Sequence, residues 1–189
     1  MAMYEIHGKR ECPFAWRVRL TAREKGLPFE WIPFDSASPD ARAARHNPRR
    51  RSPLLWDGGF ALEESLVIAE YLEESGGGRP LLPADAKERA RARLLLATVV
   101  PGLEASPAHA SDKDGETRKA RQGQTALDET LSDGRDWLGG TTPLLPDLMI
   151  WPFLALQENG GAPIPRELGR ARSYWGRARE HPSFIASRP

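Results

Sequence analysis

Cysteine is almost absent from this sequence of 189 residues, which holds only one, Cys12. One thiol cannot close a disulfide within the chain, so a fold held by an internal disulfide framework is excluded. Any redox reaction at Cys12 therefore needs a thiol from outside the chain. A protein without such a framework is typical of a reducing compartment, and we expect a cytoplasmic location.

Long apolar runs and an excess of charge are also missing. No stretch approaches the roughly 18 apolar residues that span a bilayer, and the first residues lack the apolar core of a signal peptide. Lys and Arg number 27 and Asp and Glu number 26, which leaves a formal net charge of +1. We therefore expect no membrane span and no nucleic-acid binding driven by bulk charge. Hydrophobic residues make up 40%, enough for a packed core.

The single cysteine lies between a predicted strand, Tyr4 to His7, and a predicted helix, Pro13 to Lys25. Proline suits the first helical position, so Cys12 is expected at a helix N-terminus, where free N–H groups and the helix dipole favour a thiolate. A lone cysteine is more often a small buried hydrophobic residue. The order of strand, Cys-Pro and helix nevertheless matches the redox layout of thioredoxin-like folds, with Ala15 at the place of the usual second cysteine.

The first 78 residues predict an α/β unit in the order β-α-β-α-β-β-α. Alternation indicates a second strand, and Asp57-Gly58 between apolar runs indicates a hairpin turn. A strand–helix–strand start implies that the first two strands pair in parallel. The remaining predicted elements are a strand at 29–34, an Arg-rich helix at 38–46 capped by Asp35 or Ser38, hairpin strands at 53–56 and 60–62, and a helix at 66–74 that Glu64-Ser65 opens.

Every predicted element beyond Gly76 to Pro80 is helical. Helical spacing indicates helices at 87–100, 116–138, 147–157 and 168–179, with a break at Pro101. The helix at 147–157 is the most apolar and is expected at the buried centre. These elements predict an α/β domain at 1–78, a linker at 79–84 and an all-helical domain at 85–189.

Four short motifs, in this order and spacing, resemble the cytosolic glutathione transferases. Cys12-Pro13-Phe14-Ala15 is similar to the start of omega-type members, and Asn47-Pro48 followed by Ser52-Pro53 is similar to the segment with the family's cis proline. Glu64-Ser65 resembles the start of the glutathione-binding helix, and Leu81-Leu82-Pro83 resembles the entry to the second domain. The resemblance implies a thioredoxin-like α/β domain followed by an all-α domain, and a homodimer.

The resemblance also implies glutathione as co-substrate, with Cys12 as the catalytic residue. Ser65 would hold a carboxylate at the helix N-terminus, Glu64 would accept from the ammonium group, and the Ser52 backbone would pair with the cysteinyl part like an added strand. Three alternatives stay open: Ser65 is only an N-cap, the basic run 49–51 is a solvated face, and Phe14 packs against the sheet. The implied glutathione-binding residues are Phe14, Arg51, Ser52, Pro53, Glu64 and Ser65; no metal site is predicted.

Two features depart from the family pattern. Leu144 occupies the position, three residues before Asp147, where members often carry the Ser or Thr of a capping box. The helical domain is also short, and the electrophile pocket normally uses it. Trp16, His109 and Trp151 either line that pocket or belong to the core or surface.

Three functions are consistent with these residues. The first is a thiol transferase or reductase that works through a Cys12–glutathione mixed disulfide on a small disulfide or electrophilic substrate. The second is conjugation of glutathione to electrophiles. The third is a protein-binding module that keeps the transferase fold without enzymatic activity.

Overall fold

The computed structural model describes residues 4–34, 47, 51–105, 107 and 111–189. Its contacts group into two compact units, Met1–Arg79 with Ala186–Pro189, and Pro80–Ile185. The domain boundaries predicted above stay predictions, because this grouping follows contacts within the chain and not independent folding. Within the described ranges, no helix has both the length and the apolarity that crossing a bilayer requires.

The first unit is a four-stranded mixed sheet with helices. The sheet has the order β2-β1-β3-β4, with β1 and β2 parallel and the other two pairs antiparallel. The predicted parallel pairing is therefore confirmed, and the topology is thioredoxin-like. The predicted helix at 38–46, with its caps Asp35 and Ser38, lies outside the described residues. The elements are β1 (Tyr4–Gly8), α1 (Pro13–Glu24), β2 (Phe29–Pro33), β3 (Leu54–Asp57), β4 (Phe60–Leu62) and α2 (Ser65–Ser75).

Side chains from both helices and the central strands form the core of this unit. They come from β1, α1, β3 and α2, and residues with little or no exposed surface make up the cluster: Tyr4, Ile6, Val18, Ala22, Leu55, Ile68 and Leu72. The hairpin after β3 forms as predicted, but its left-handed residues are Gly58 (φ +55°) and Gly59 (φ +111°). The turn thus uses two glycines, which take this conformation freely, and not the Asp57-Gly58 pair.

The second unit is helical. The predicted break near Pro101 is present: one helix ends at Thr98, and a short helix that contains Pro101 begins at Val100. The predicted helix at 116–138 is wrong at its end, because the observed helix stops at Thr130 and Trp137 and Gly140 form an isolated bridge. The helices are α3 (Ala86–Thr98), α4 (Val100–Leu103), α5 (Lys113–Thr130), α6 (Leu145–Asn159), α7 (Gly169–Glu180) and α8 (Pro182–Ser187). Helix α8 has no counterpart among the predicted helices.

Helix α6 is the buried centre of this unit, as its composition predicted. Almost all of its residues between Leu145 and Gln157 are buried, and Trp151 is fully so. Pro152 lies inside the helix without ending it. A helix that is apolar on all sides is expected only where neighbouring elements surround it.

A close approach of α4 and α5 makes Gly123 sensitive to any side chain. A Cβ at Gly123 would lie 2.2 Å from the carbonyl oxygen of Gly102, which is backbone and cannot move aside alone. We expect Gly123→Ala to force the two helices apart and to lower the free energy of unfolding by about 1–3 kcal/mol. Urea unfolding followed by circular dichroism measures this change.

Gly176 in α7 provides the matched control. A Cβ there would meet no atom within 4 Å. Gly176→Ala is therefore expected to raise the free energy of unfolding by about 0.5–1 kcal/mol, because alanine loses less backbone entropy in a helix. Equal effects at the two positions would contradict the helix contact.

Candidate functional site

Cys12 is the N-cap residue of α1. Its backbone is extended (φ −67°, ψ 120°), Pro13 is the first helical residue, and the Cys12 carbonyl accepts from the Trp16 N–H at 2.8 Å. The prediction that the cysteine lies at a helix N-terminus is therefore confirmed. The thiol is free and half-buried. It is carried at the positively polarised end of the helix dipole, where negative charge is stabilised.

The turn that carries Cys12 is attached to Ser52. The Cys12 N–H donates to the Lys9 carbonyl at 3.2 Å and closes the turn, and the Lys9 N–H donates to Ser52 Oγ at 3.0 Å. The thiol itself donates to the Ser52 carbonyl oxygen, with 3.6 Å between sulfur and oxygen. Ser52 thus contacts the turn through its hydroxyl and the thiol through its backbone.

A cavity of about 260 Å³ opens beside this turn, in the first unit. Its lining consists of the six residues that the family resemblance implies for glutathione binding: Phe14, Arg51, Ser52, Pro53, Glu64 and Ser65. Cys12 is joined to the cavity wall through the Ser52 carbonyl. The Ser52–Pro53 peptide bond is cis, in agreement with the resemblance. The structure therefore brings three separate stretches of sequence to one concave site.

Ser65 is the first residue of α2 and does not cap it. The N-cap is Glu64, at φ +65°, and no side chain caps the helix, so the interpretation of Ser65 as only an N-cap is wrong. Ser65 Oγ instead accepts from Arg17 Nε at 2.9 Å, and both residues are buried. Because this bond uses a lone pair of the hydroxyl oxygen, the hydroxyl hydrogen can still donate to an acceptor in the cavity.

Arg17 is a residue of this site that was not among the residues predicted from the sequence. Only 3% of it is exposed, and its guanidinium carbon lies 5.0 Å from the centre of the Phe14 ring. It therefore contacts two cavity residues, the ring of Phe14 and the hydroxyl of Ser65. The contact between Arg17 and Phe14 could have been found from the sequence, because positions three apart on a helix share a face. The contact with Ser65 joins residues 48 positions apart and leaves no local pattern.

Arg51 and Glu64 form an ion pair at the mouth of the cavity. Arg51 Nη1 lies 3.0 Å from Glu64 Oε1, and both side chains are more than half exposed. Buried Asn47 holds the Arg51 backbone, because its Oδ1 accepts from the Arg51 N–H at 2.8 Å and its amide donates to the Arg51 carbonyl. An exposed pair of this kind contributes little to stability. Both charges can therefore exchange their partner for a charged ligand at small cost.

The other candidates have separate positions. Trp16 is buried and its Nε1 donates to Ser187 Oγ at 2.8 Å. Trp151 is buried in the second unit and donates to the Tyr174 hydroxyl at 2.9 Å. Both tryptophans are thus core residues of their own units, and His109 lies outside the described residues. In the part of the chain that the structure describes, no group of three or more His, Cys, Asp or Glu side chains is arranged to hold a metal ion.

The hydroxyl of Ser52 is expected to matter for the reactivity of Cys12. Ser52→Val removes the acceptor of the Lys9 N–H, whereas Ser52→Thr keeps it with nearly the same shape. We expect the valine variant to react about 2- to 10-fold more slowly with iodoacetamide at Cys12, the cost of one hydrogen bond, and the threonine variant to stay close to the natural rate. Equal rates in the two variants would show that the hydroxyl does not hold the turn.

Comparison with known proteins connects this geometry to one family. Residues 11–75 match the family model of the glutathione S-transferase N-terminal domain. Glutathione transferase GST 23 of Zea mays is 28% identical over 185 residues, which cover 92% of this chain and 83% of that protein. Glutathione S-transferase omega-1 of Mus musculus is 29% identical over 159 residues, which cover 81% of this chain and 66% of that protein.

The fold of the entire chain points to the same family. The crystal structure of a rice glutathione transferase, solved in complex with glutathione, superimposes with a TM-score of 0.82 at 25% identity and covers 100% of this chain and 91% of that chain. The matched range, residues 11–75, contains Cys12 and all six cavity residues. The N-terminal part of the chain thus matches the glutathione S-transferase family model, and the chain has the glutathione transferase fold.

Proposed function

We propose that this chain is a glutathione-dependent thiol transferase of the omega-like type that works through a Cys12–glutathione mixed disulfide. The observation that carries the proposal is the position of the only thiol. Cys12 Sγ lies 3.6 Å from the carbonyl oxygen of Ser52, a residue of the cavity wall. A cysteine at this place can exchange disulfides with a bound glutathione, whereas a hydroxyl cannot.

The charges around the cavity suit glutathione, a peptide with two carboxylates and one ammonium group. One carboxylate would bind at the N-terminus of α2, where the Ser65 hydroxyl and the free N–H groups donate. The ammonium group would replace Arg51 as the partner of Glu64, which frees Arg51 for the peptide's negative charge. The cysteinyl part would pair with the backbone of Ser52 and bring its sulfur to Cys12.

The reaction has two thiol–disulfide exchanges. In the first, the Cys12 thiolate attacks the glutathione sulfur of a substrate RS–SG, the S–S bond breaks, and RS⁻ leaves and takes up a proton. In the second, the thiolate of another glutathione attacks the sulfur bound to Cys12, which releases oxidised glutathione and the Cys12 thiolate. The sum is RSSG + GSH → RSH + GSSG, so the chain itself is neither oxidised nor reduced overall.

We also propose a cytoplasmic homodimer. Large apolar side chains remain exposed on the first unit, with Phe60 49% and Val67 52% exposed, and on the second, with Leu94 59% exposed. Such side chains suit a subunit interface when they form a contiguous patch. Sedimentation equilibrium measures the state directly, and a single species with the mass of one chain at micromolar concentration would contradict the dimer.

Intact mass after incubation with oxidised glutathione tests the proposed mechanism. We expect one added glutathione, removed by dithiothreitol and absent in Cys12→Ala. Binding of reduced glutathione is measured in parallel by calorimetry. An adduct that forms without Cys12, or no adduct at all, would contradict the proposed mechanism.

A second candidate is conjugation of glutathione to electrophiles, which the transferase names of the maize and mouse relatives favour. In that case the Cys12 thiol would only donate a hydrogen bond to the glutathione thiolate. Glutathione would then bind without forming an adduct, and conjugation would survive in Cys12→Ser. If glutathione did not bind at all, a protein-binding module without enzymatic activity would replace both candidates.

A further inference from the structure

Arg19 is a buried cation beside the turn that carries Cys12. Only 6% of it is exposed, and its guanidinium carbon lies 4.4 Å from the centre of the Trp31 ring. Its Nη2 donates to the Arg10 carbonyl at 3.0 Å and lies 3.5 Å from the Ser187 carbonyl oxygen. Among the residues that the structure describes, no carboxylate pairs with Arg19, and its Nη1 is buried without an acceptor.

This arrangement is costly for a residue with only a packing role. A guanidinium buried without a carboxylate loses hydration that two backbone carbonyls replace only in part. Burial lowers the pKa of Arg19 to about 10, so the group stays charged at neutral pH. The charged or titratable groups whose fields act on it are Arg10, Cys12, Arg23 and Glu11. A leucine or methionine would fill the same space beside Trp31 without that cost.

The hydrogen bond to Arg10 explains what the charge does. Arg10 lies inside the turn that the Cys12 N–H closes on the Lys9 carbonyl at 3.2 Å. Ser52 Oγ holds the turn by accepting from the Lys9 N–H, and Arg19 holds it by donating to the Arg10 carbonyl. A hydrogen bond from a charged donor is stronger than one between neutral groups, so Arg19 is the firmer of the two attachments.

We propose that Arg19 is a positioning residue for Cys12, which fixes the Lys9–Cys12 turn by holding the Arg10 carbonyl against α1. The inference rests on the proposed function, in which Cys12 is the nucleophile. Arg19 touches neither the substrate nor the sulfur. It acts on the reaction by restricting where the thiol can be, and a misplaced nucleophile reacts more slowly even when its substrate is bound.

The same guanidinium also reaches the C-terminal segment of the chain. Trp16 and Arg19 lie three positions apart on α1, and both contact Ser187, through its hydroxyl and its carbonyl oxygen respectively. The position of the guanidinium is thus fixed by Trp31 on one side and by Ser187 on another. This support makes Arg19 a rigid attachment for the turn.

The test compares Arg19→Met with Arg23→Met. Arg23 is an exposed arginine one turn further along α1, and its guanidinium carbon lies 5.6 Å from the Phe29 ring, so it shares the stacking but not the bond to the turn. We expect Arg19→Met to slow alkylation of Cys12 by iodoacetamide and to lower kcat for thiol transfer, each by roughly 10- to 100-fold. KM for glutathione should stay within about threefold. Arg23→Met should change each quantity by about twofold or less.

Three results would overturn the inference. The first is an unchanged alkylation rate and kcat in a folded Arg19→Met, the second is a change confined to KM for glutathione, and the third is an equal fall in rate and kcat in Arg23→Met. If Arg19→Met does not fold, Arg19→Lys carries the test, because it keeps the charge but lacks the planar fork. An alkylation rate in Arg19→Lys equal to the natural one would then overturn it. Alkylation needs no glutathione, so this readout separates failure of the inference from failure of the proposed function.

Discussion

Replacing Cys12 by serine is expected to abolish thiol transfer and to leave the fold intact. A hydroxyl forms no disulfide with glutathione, so the first exchange has no nucleophile. Serine can still donate to the Ser52 carbonyl and is itself a favoured N-cap residue, so the local geometry should survive. Because the mechanism uses one nucleophile, we expect turnover to fall on the order of a thousandfold or more. Reduction of a glutathionylated peptide, followed by release of its free thiol, measures this loss.

The same variant separates the two candidate reactions. Conjugation to a chlorinated aromatic acceptor is expected to survive in Cys12→Ser, because a hydroxyl can donate to a glutathione thiolate. Thermal unfolding and the Kd for glutathione serve as controls and should be unchanged. Undiminished disulfide reduction in a correctly folded Cys12→Ser would refute the mixed disulfide at this residue.

The candidate site could be predicted because its motifs resemble a known family and because the elements that carry them have local sequence signals. A proline after Cys12 marks a helix start, and Ser52-Pro53 and Glu64-Ser65 lie at the ends of segments whose strands and helices have clear periodicity. The order of those elements then limits the topology, since the first two strands had to pair in parallel. The six cavity residues themselves were named from the resemblance to the glutathione transferases, and local signals with the restricted topology placed the elements that carry them.

What could not be predicted depends on contacts between distant positions. The bond from Arg17 to Ser65 spans 48 positions and that from Lys9 to Ser52 spans 43, and neither leaves a pattern in the sequence. The end of α5 at Thr130 has the same origin. The stretch after it carries helical spacing, but its backbone N–H groups at Leu138 and Gly139 donate to Asp147 instead of continuing a helix.

Asp147 is accordingly the residue whose loss is expected to destabilise the second unit most. It is fully buried, and its carboxylate accepts four hydrogen bonds, from the N–H groups of Leu138, Gly139 and Leu144 at 2.7–3.0 Å and from the Tyr174 hydroxyl at 3.0 Å. The missing Ser or Thr at position 144 is thus offset, because Asp147 caps α6 by binding the Leu144 backbone.

Asp147→Ala leaves three backbone N–H groups and the Tyr174 hydroxyl without their acceptor. Each such group costs about 1–3 kcal/mol, so the free energy of unfolding should fall by about 3 kcal/mol or more. Asp133 is the matched control, since it also accepts from a nearby backbone N–H, that of Arg135 at 3.2 Å, but does so at the surface. Asp133→Ala should leave urea unfolding unchanged within error. A similar loss in both variants would contradict the role of the buried carboxylate.

The pH dependence of this loss has a defined sign. Burial raises the pKa of Asp147 from 3.8 to about 6, against the four donors that lower it. Because the pKa is higher in the folded chain, the folded chain binds the Asp147 proton more tightly than the unfolded chain does. This proton binding stabilises the fold fully below pH 3.8, and the stabilisation is lost as pH rises through 6. The difference in unfolding free energy between the natural chain and Asp147→Ala, which lacks the group, should therefore shrink from pH 4 to pH 7. A difference that grew over this range would mean that the four hydrogen bonds outweigh burial and hold the carboxyl ionised throughout.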